Sequence, residues 1–196
     1  PSVVTISVSS PNASGTGSGV IIDTEGHVLT NTHVVTLEGA AADPTIQVQP
    51  NDGRLISAKI VGIDPISDLA VIQLADTSNL QPAEFADSSK LNVGDGAIAI
   101  GAPLGLAGTV TDGIVSALNR SITIASSALP DTSTNNDQAP DAQSPFDFWN
   151  FDLPGQNQSN TPTSPSQTIS LSVIQTDAAI NPGNSGGALL DSAGRV

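Results

Sequence analysis

Short strand-like runs separated by turn signals dominate this sequence. Turn signals such as DTEG at residues 23–26 and NDG at residues 51–53 interrupt the chain, and helical periodicity is scarce. Only residues 88–91, SSKL, are typical of a helical turn. Many short strands with glycine-rich turns predict an all-β sandwich or barrel. The predicted strands are SGVIID, GHVLTNTHVV, TIQVQP, ISAKIVGI, DLAVIQL, GAIAIGAP, GTVTDGIVSAL, SLSVIQT and GGALL.

The size, charge and composition of the chain limit its possible functions and partners. A chain of 196 residues holds one large β domain or two small ones. The net charge of −14 argues against nucleic acids and anionic membranes as partners. Cysteine is absent, which excludes disulfides and thiolate metal sites. No apolar run approaches the ~18 residues that a membrane-spanning helix needs.

Residues 181–190, NPGNSGGALL, crowd three glycines around one serine. One interpretation is an ordinary turn, because Gly, Asn, Pro and Ser are common in loops. The other is a nucleophile loop, in which the glycines let backbone N–H groups point toward an oxyanion beside Ser185. The pentapeptide GNSGG alone favours the turn, so the rest of the chain has to decide.

The order of residues along the chain restricts the choice of hydrolase. The G-x-S-x-G motif of α/β-hydrolases requires a histidine after the serine, but only eleven residues follow Ser185 and none is histidine. In the subtilisin order the acid precedes the histidine. Only Asp23 and Glu25 precede both histidines here, and the chain lacks the helices of that fold. The remaining order, His then Asp then Ser, is that of the chymotrypsin architecture.

Two histidines and several aspartates are candidates for the other roles. His27 follows a turn and is expected in solvent, whereas His33, at the end of a predicted strand, is better positioned as a base. Asp68 begins the apolar run DLAVIQL, so a buried strand would fix its backbone. Composition and spacing do not select Asp68 over Asp64 or Asp76.

Five blocks in order resemble the protease domain of the HtrA (DegP-like) serine protease family, and together they span nearly all of the chain outside residues 125–168. The resemblance implies a chymotrypsin-like fold of two perpendicular six-stranded β-barrels, the first over residues 1–80 and the second over 81–196, with the active site between them. The blocks are SGVIIDTEGHVLTNTHVV, DPISDLAVIQL, VGDGAIAIGAPLGL, TVTDGIVSALNR and IQTDAAINPGNSGGALLDSAGRV.

The resemblance also implies roles for individual residues. His33, Asp68 and Ser185 would form the catalytic triad of a serine endopeptidase. Gly183, Asn184 and Ser185 would form the oxyanion hole.

The family's substrates and location follow from the same resemblance. Ile180 would line the S1 pocket, which implies cleavage after small aliphatic residues. The implied substrates are unfolded or damaged proteins and peptides, the implied location is the bacterial cell envelope outside the cytoplasm, and no metal or organic cofactor is implied.

Residues 125–168 depart from the β pattern. They are rich in Ser, Thr, Pro, Gln and Asn, carry no Lys or Arg, and include four of the five aromatic residues, Phe146, Phe148, Trp149 and Phe151. This composition predicts a long acidic loop. The aromatic cluster either packs back on the barrel or docks a partner. By resemblance the loop is a regulatory sensor loop, with Arg120 before it and Trp149 within it.

The resemblance leaves three further expectations. It implies a homotrimer, although residues 1–8 lack the aromatic residues through which relatives trimerise. It implies a PDZ domain. It also implies further protease strands beyond residue 196, because the turn DSAG is followed by only two residues. An alternative function is a non-catalytic chaperone or binding module on a protease scaffold.

Overall fold

The fold is a closed barrel joined to a sheet. A computed structural model describes residues 1–11, 13–37, 39, 41, 43–102, 108–125, 168–181 and 183–196. Within these ranges, six antiparallel strands close the barrel in the order β1-β2-β3-β6-β5-β4, and four more form a sheet in the order β10-β7-β8-β9.

The barrel is built from the first part of the chain. A one-turn helix, α1 (Thr32–Thr36), follows the third strand. Pairing of the fourth strand with the first closes the barrel, and a register shift between Ile60 and Gly62 bends the fifth strand. The strands are β1 (Val3–Ser9), β2 (Ser14–Ile21), β3 (His27–Thr30), β4 (Thr45–Gln49), β5 (Ile56–Asp64) and β6 (Leu69–Leu74).

Branched aliphatic side chains fill the barrel. Their alternation along the strands directs every second residue inward. Ile6, Val28, Val48 and Ile72 have no exposed surface. Val34 and Val35 of α1 join the same core, so this short helix is held by packing more than by its own propensity.

The sheet is built from the second part of the chain: β7 (Gly96–Gly101), β8 (Thr109–Ala125), β9 (Thr168–Thr176) and β10 (Ala188–Leu190). Strand β8 pairs with β7 along its first part and with β9 along the rest. A closed six-stranded barrel followed by a partial second barrel confirms the predicted all-β, chymotrypsin-like fold class. The predicted domain boundary at residue 80 falls in the connection between β6 and β7.

One local prediction was wrong and one strand was missed. The run GHVLTNTHVV was predicted as one strand, but the strand ends at Thr30 and His33 lies on α1. Strand β1 was not among the predicted strands, although Val4, Ile6 and Val8 point into the core. The predicted helical turn at residues 88–91 is a 3₁₀ helix, Ser88–Lys90.

Some predictions lie outside the described residues. The aromatic cluster with Trp149, and most of the predicted loop 125–168, belong to this group. In the part of the chain that the structure does describe, no helix is long and apolar enough to cross a membrane.

We expect barrel stability to depend on the centre of β6. Replacing Ile72 with Ala should lower the free energy of unfolding by about 2–5 kcal/mol, because it leaves a cavity among fully buried neighbours. Ile63→Ala removes the same atoms from a side chain that is 48% exposed and should cost much less. Urea denaturation measures both values, and equal losses would contradict this description of the core.

Candidate active site

His33, on α1, contacts the Asp68 carboxylate through two of its nitrogen atoms. The Nδ1 atom of His33 lies 2.7 Å from Asp68 Oδ2, and the His33 backbone N–H donates to Asp68 Oδ1 at 3.0 Å. The Asp68 side chain is only 12% exposed and that of His33 is 26% exposed. This arrangement fixes the orientation of the imidazole ring through Nδ1.

The backbone of Asp68 is itself fixed. Its φ of 53° lies in the left-handed region, which aspartate tolerates better than most residues. Its carbonyl oxygen accepts hydrogen bonds from Asn31 Nδ2 at 2.7 Å and from the Thr32 backbone N–H at 3.2 Å. The residues that begin α1 therefore also position the carboxylate that contacts His33.

The other two candidate aspartates are engaged elsewhere. Asp64 caps the β5–β6 turn, where hydrogen bonding, chiefly from the side chain of Ser67, holds its pKa below the ordinary value. Asp76 accepts hydrogen bonds from Ser78, which lower its pKa, and pairs with Arg54 at 2.7 Å.

A second histidine–aspartate pair repeats this geometry. His27 Nδ1 lies 2.6 Å from Asp23 Oδ2, and the His27 backbone N–H donates to Asp23 Oδ1 at 3.0 Å. These bonds, the backbone one first, lower the pKa of Asp23. His27 and Thr30 lie at opposite ends of β3, about 10 Å apart. Local geometry alone therefore does not distinguish the two histidines.

Asp23, Glu25 and His27 also form the one group in the described ranges that could hold a metal ion. Their ligand atoms lie within 4.8 Å of one another. The group is at the β2–β3 turn, where exposed acidic side chains are common without a metal. The hydrogen bond between Asp23 and His27 already occupies two of the possible ligand atoms.

The turn that carries Ser185 lies against strand β2. The Ser18 backbone N–H donates to the Ser185 carbonyl at 2.8 Å, and Ser18 Oγ donates to the Gly183 carbonyl at 2.7 Å. Pairing between β2 and β3 is limited to Val20 and Ile21, so the edge of β2 near Ser18 is open to this segment.

Glycines allow the turn to approach the barrel. A Cβ atom on Gly186 would overlap the Ser18 carbonyl oxygen and Thr30 Oγ1, and Gly186 has a φ of 79°. A Cβ atom on Gly17 would lie 2.7 Å from Val34 Cγ1 and 3.3 Å from the Ser185 carbonyl oxygen. The residue after His33 and the backbone of Ser185 therefore meet at the same point of β2.

Backbone hydrogen bonds shape the predicted oxyanion hole. The Asn184 N–H donates to the Asn181 carbonyl at 3.0 Å, and the Gly187 N–H donates to the Asn184 carbonyl at 2.8 Å. The Asn184 N–H is therefore already used within the turn. Within the described ranges, the N–H groups of Gly183 and Ser185 have no such backbone partner, so these two stay the predicted oxyanion donors.

Ile180 lies between two anchored residues. The carbonyl of Ala179 accepts a hydrogen bond from Thr111 Oγ1 at 2.8 Å, and Asn181 accepts the bond from Asn184. The Ile180 side chain is 36% exposed. This segment connects β9 to the turn that carries Ser185, so Ile180 precedes that turn in the chain.

Arg120, predicted to act in regulation, pairs across the sheet. Its Nη1 atom donates to Gln175 Oε1 at 2.8 Å, next to a register shift between β8 and β9. This contact joins two neighbouring strands and is compatible with a structural role.

Sequence reasoning missed the residues that hold the site together, namely Ser18, Thr30 and Asn31. A signal for Ser18 was present, because three glycines alternate along SGTGSGVI in β2. Glycine within a strand often marks the close approach of another backbone. Thr30 and Asn31 have no comparable signal, since their partners are distant in sequence.

Comparison with known proteins identifies the family. Residues 17–196 match the trypsin-like peptidase domain. The chain is 40% identical over 186 residues to the putative serine protease HhoB of Synechocystis, covering 95% of this chain. It is 42% identical over 181 residues to the periplasmic serine endoprotease DegP of Escherichia coli, covering 92% of this chain. The chain belongs to the HtrA group of trypsin-like peptidase domains.

A solved HtrA structure has the same fold. The HtrA-type protease AlgW with a tripeptide superimposes with a TM-score of 0.68 and 36% identity, over 100% of this chain and 49% of that one. The chain spans 34% of the length of HhoB and 28% of the length of DegP.

We expect the contact between Gly186 and β2 to be required for activity. Gly186→Ala forces a Cβ atom into the backbone of Ser18, which displaces Ser185, and displacement of about 1 Å can lower the rate of peptide hydrolysis about 100-fold. The matched control is Gly53→Ala, because Gly53 has a φ of 81° but no atom within 4 Å of the added Cβ. Equal rates of peptide hydrolysis in the two variants would argue against this contact.

Proposed function

We propose that this protein is a serine endopeptidase of the HtrA type that uses His33, Asp68 and Ser185 as its catalytic triad. The observation that carries the proposal is a convergence at β2. The histidine that contacts a largely buried aspartate precedes Val34, and Val34 and the Ser185 backbone meet at Gly17. His27, which has the same local pairing, lies at the far end of β3.

The proposed chemistry begins with proton transfer. Ser185 Oγ attacks the scissile carbonyl carbon while His33 Nε2 accepts the hydroxyl proton. Asp68 holds the ring through Nδ1 and stabilises the imidazolium that forms. The N–H groups of Gly183 and Ser185 bind the developing oxyanion, and each such donor contributes about 3 kcal/mol in well-studied proteases. His33 then transfers its proton to the leaving amine.

Family membership supports the proposed substrates. The AlgW structure contains a tripeptide, and DegP is named an endoprotease. We accordingly propose that this protein cleaves unfolded or damaged proteins after small aliphatic residues. In this proposal Ile180 lines the S1 pocket. DegP is also named as periplasmic, which supports a location outside the cytoplasm.

Organisation beyond the site is also a matter for proposal. A division into an N-terminal barrel, residues 1–80, and a truncated C-terminal barrel, residues 81–196, is supported by the change from barrel to sheet after β6. Regulation through Arg120 and Trp149, a homotrimer, further protease strands and a PDZ domain are carried by family resemblance alone. The named relatives are longer than this chain.

We expect Ser185→Ala to abolish cleavage of unfolded casein by the full-length protein. Loss of a triad nucleophile costs about a million-fold in kcat. Ser192→Ala is the control, because it makes the same change at an exposed serine seven residues further along the chain, and it should keep full activity. Casein fragments are measured by mass spectrometry.

Residual cleavage by Ser185→Ala near the wild-type rate would reject Ser185 as the nucleophile. Binding of casein without cleavage by the wild-type protein would favour the alternative, a chaperone or binding module on a protease scaffold.

A further inference from the structure

Ser18 connects the barrel, the sheet and the nucleophile turn. It has no exposed surface. Its Oγ atom donates to the Gly183 carbonyl at 2.7 Å and accepts from the Ala102 N–H at 2.8 Å. Its backbone N–H donates to the Ser185 carbonyl at 2.8 Å, and its carbonyl accepts from Thr30 Oγ1 at 2.7 Å. Every polar atom of this buried residue is therefore in use.

Two of these bonds bracket the proposed oxyanion donors. The hydroxyl of Ser18 holds the carbonyl of the peptide between Gly183 and Asn184, and the N–H of the same peptide is held by Asn181. Rotation of this peptide would break both bonds. Because the N–H groups of Gly183 and Ser185 lie on either side of it, its orientation determines where both of them point.

The other end of the turn is held in the same way. The Ser18 N–H fixes the carbonyl of Ser185, and the Asn184 carbonyl accepts from Gly187. The bond to Asn184 orients the peptide whose N–H group belongs to Ser185. A trans peptide directs its N–H and C=O to opposite sides, so fixing the carbonyl fixes the donor.

We infer that Ser18 is a positioning residue for the oxyanion hole, acting through its hydroxyl on the Gly183 carbonyl. Because Ser18 is fully buried, it would act through the turn and not by touching the substrate. The inference rests on the proposed serine endopeptidase function and extends it to a residue in the first barrel that supports the transition state formed on the second part of the chain.

Removal of the hydroxyl should affect the transition state more than the bound substrate. Ser18→Ala leaves the Gly183 carbonyl and the Ala102 N–H without this partner, so only the bond from the Asn184 N–H to Asn181 still opposes rotation of the peptide between Gly183 and Asn184. We expect kcat to fall about 10- to 100-fold, which does not exceed the fall in kcat when an oxyanion-hole donor is itself removed. The KM should stay within about two-fold of the wild-type value.

A peptide boronate separates positioning from a general loss of structure. Its tetrahedral adduct with Ser185 resembles the transition state, so its affinity should fall in proportion to kcat/KM. Binding of the amine-side product peptide, which carries no carboxylate at the cleaved bond and so places no anionic oxygen in the oxyanion hole, should not change. Thermal unfolding of each variant is measured alongside to establish that the protein is folded.

Thr5→Val is the matched control. Thr5 pairs with Ser18 across β1 and β2 and is 4% exposed, yet in the described part of the chain its hydroxyl has no hydrogen-bond partner. Valine has the same shape without the hydroxyl. This variant removes a buried hydroxyl from the same place in the barrel and should leave kcat and boronate affinity unchanged.

If Ser18→Ala does not fold, Ser18→Cys carries the test, because a thiol keeps the shape but donates weakly and should give an intermediate loss of kcat. A folded Ser18→Ala protein with wild-type kcat and boronate affinity would overturn the inference, as would an equal loss in Thr5→Val. Full activity in Ser185→Ala would instead overturn the proposed function, so the two failures are distinct.

Discussion

The contact between the edge of β2 and the Ser185 turn joins the two parts of the molecule. The turn contributes two carbonyl groups, from Gly183 and Ser185, and β2 contributes the backbone and hydroxyl of Ser18. The contact is close because Gly186 has no side chain. The contact fixes Ser185, which lies between β9 and β10, relative to the histidine and aspartate of the barrel.

Paired histidine and aspartate side chains do not by themselves identify a catalytic site in this chain. His27 and His33 each contact a carboxylate through both Nδ1 and the backbone N–H, and their side chains are equally exposed, at 26%. They differ in position, because His33 is on α1 near Gly17 and His27 begins β3. The distinction is made by tertiary structure, which brings residues far apart in sequence together.

Sequence patterns predicted the strands well where each strand had its own apolar run and flanking turns. They failed at residues 32–36, THVVT, because β-branched residues favour strands while burial of Val34 and Val35 holds this segment as a helix. Composition and spacing in the sequence also could not select among Asp64, Asp68 and Asp76. All three lie near strand ends, and Asp68 is set apart by its contacts with His33 and by the bonds from Asn31 and Thr32 to its carbonyl.

The most direct test of this account is the rate at which a fluorophosphonate modifies Ser185, followed by peptide mass spectrometry in three proteins. Wild type and His27→Ala should form a single adduct on Ser185 at similar rates, and His33→Ala should form almost none, because the base that activates the serine is lost. An adduct on another serine, or equal labelling of Ser185 in His33→Ala, would contradict the proposed triad.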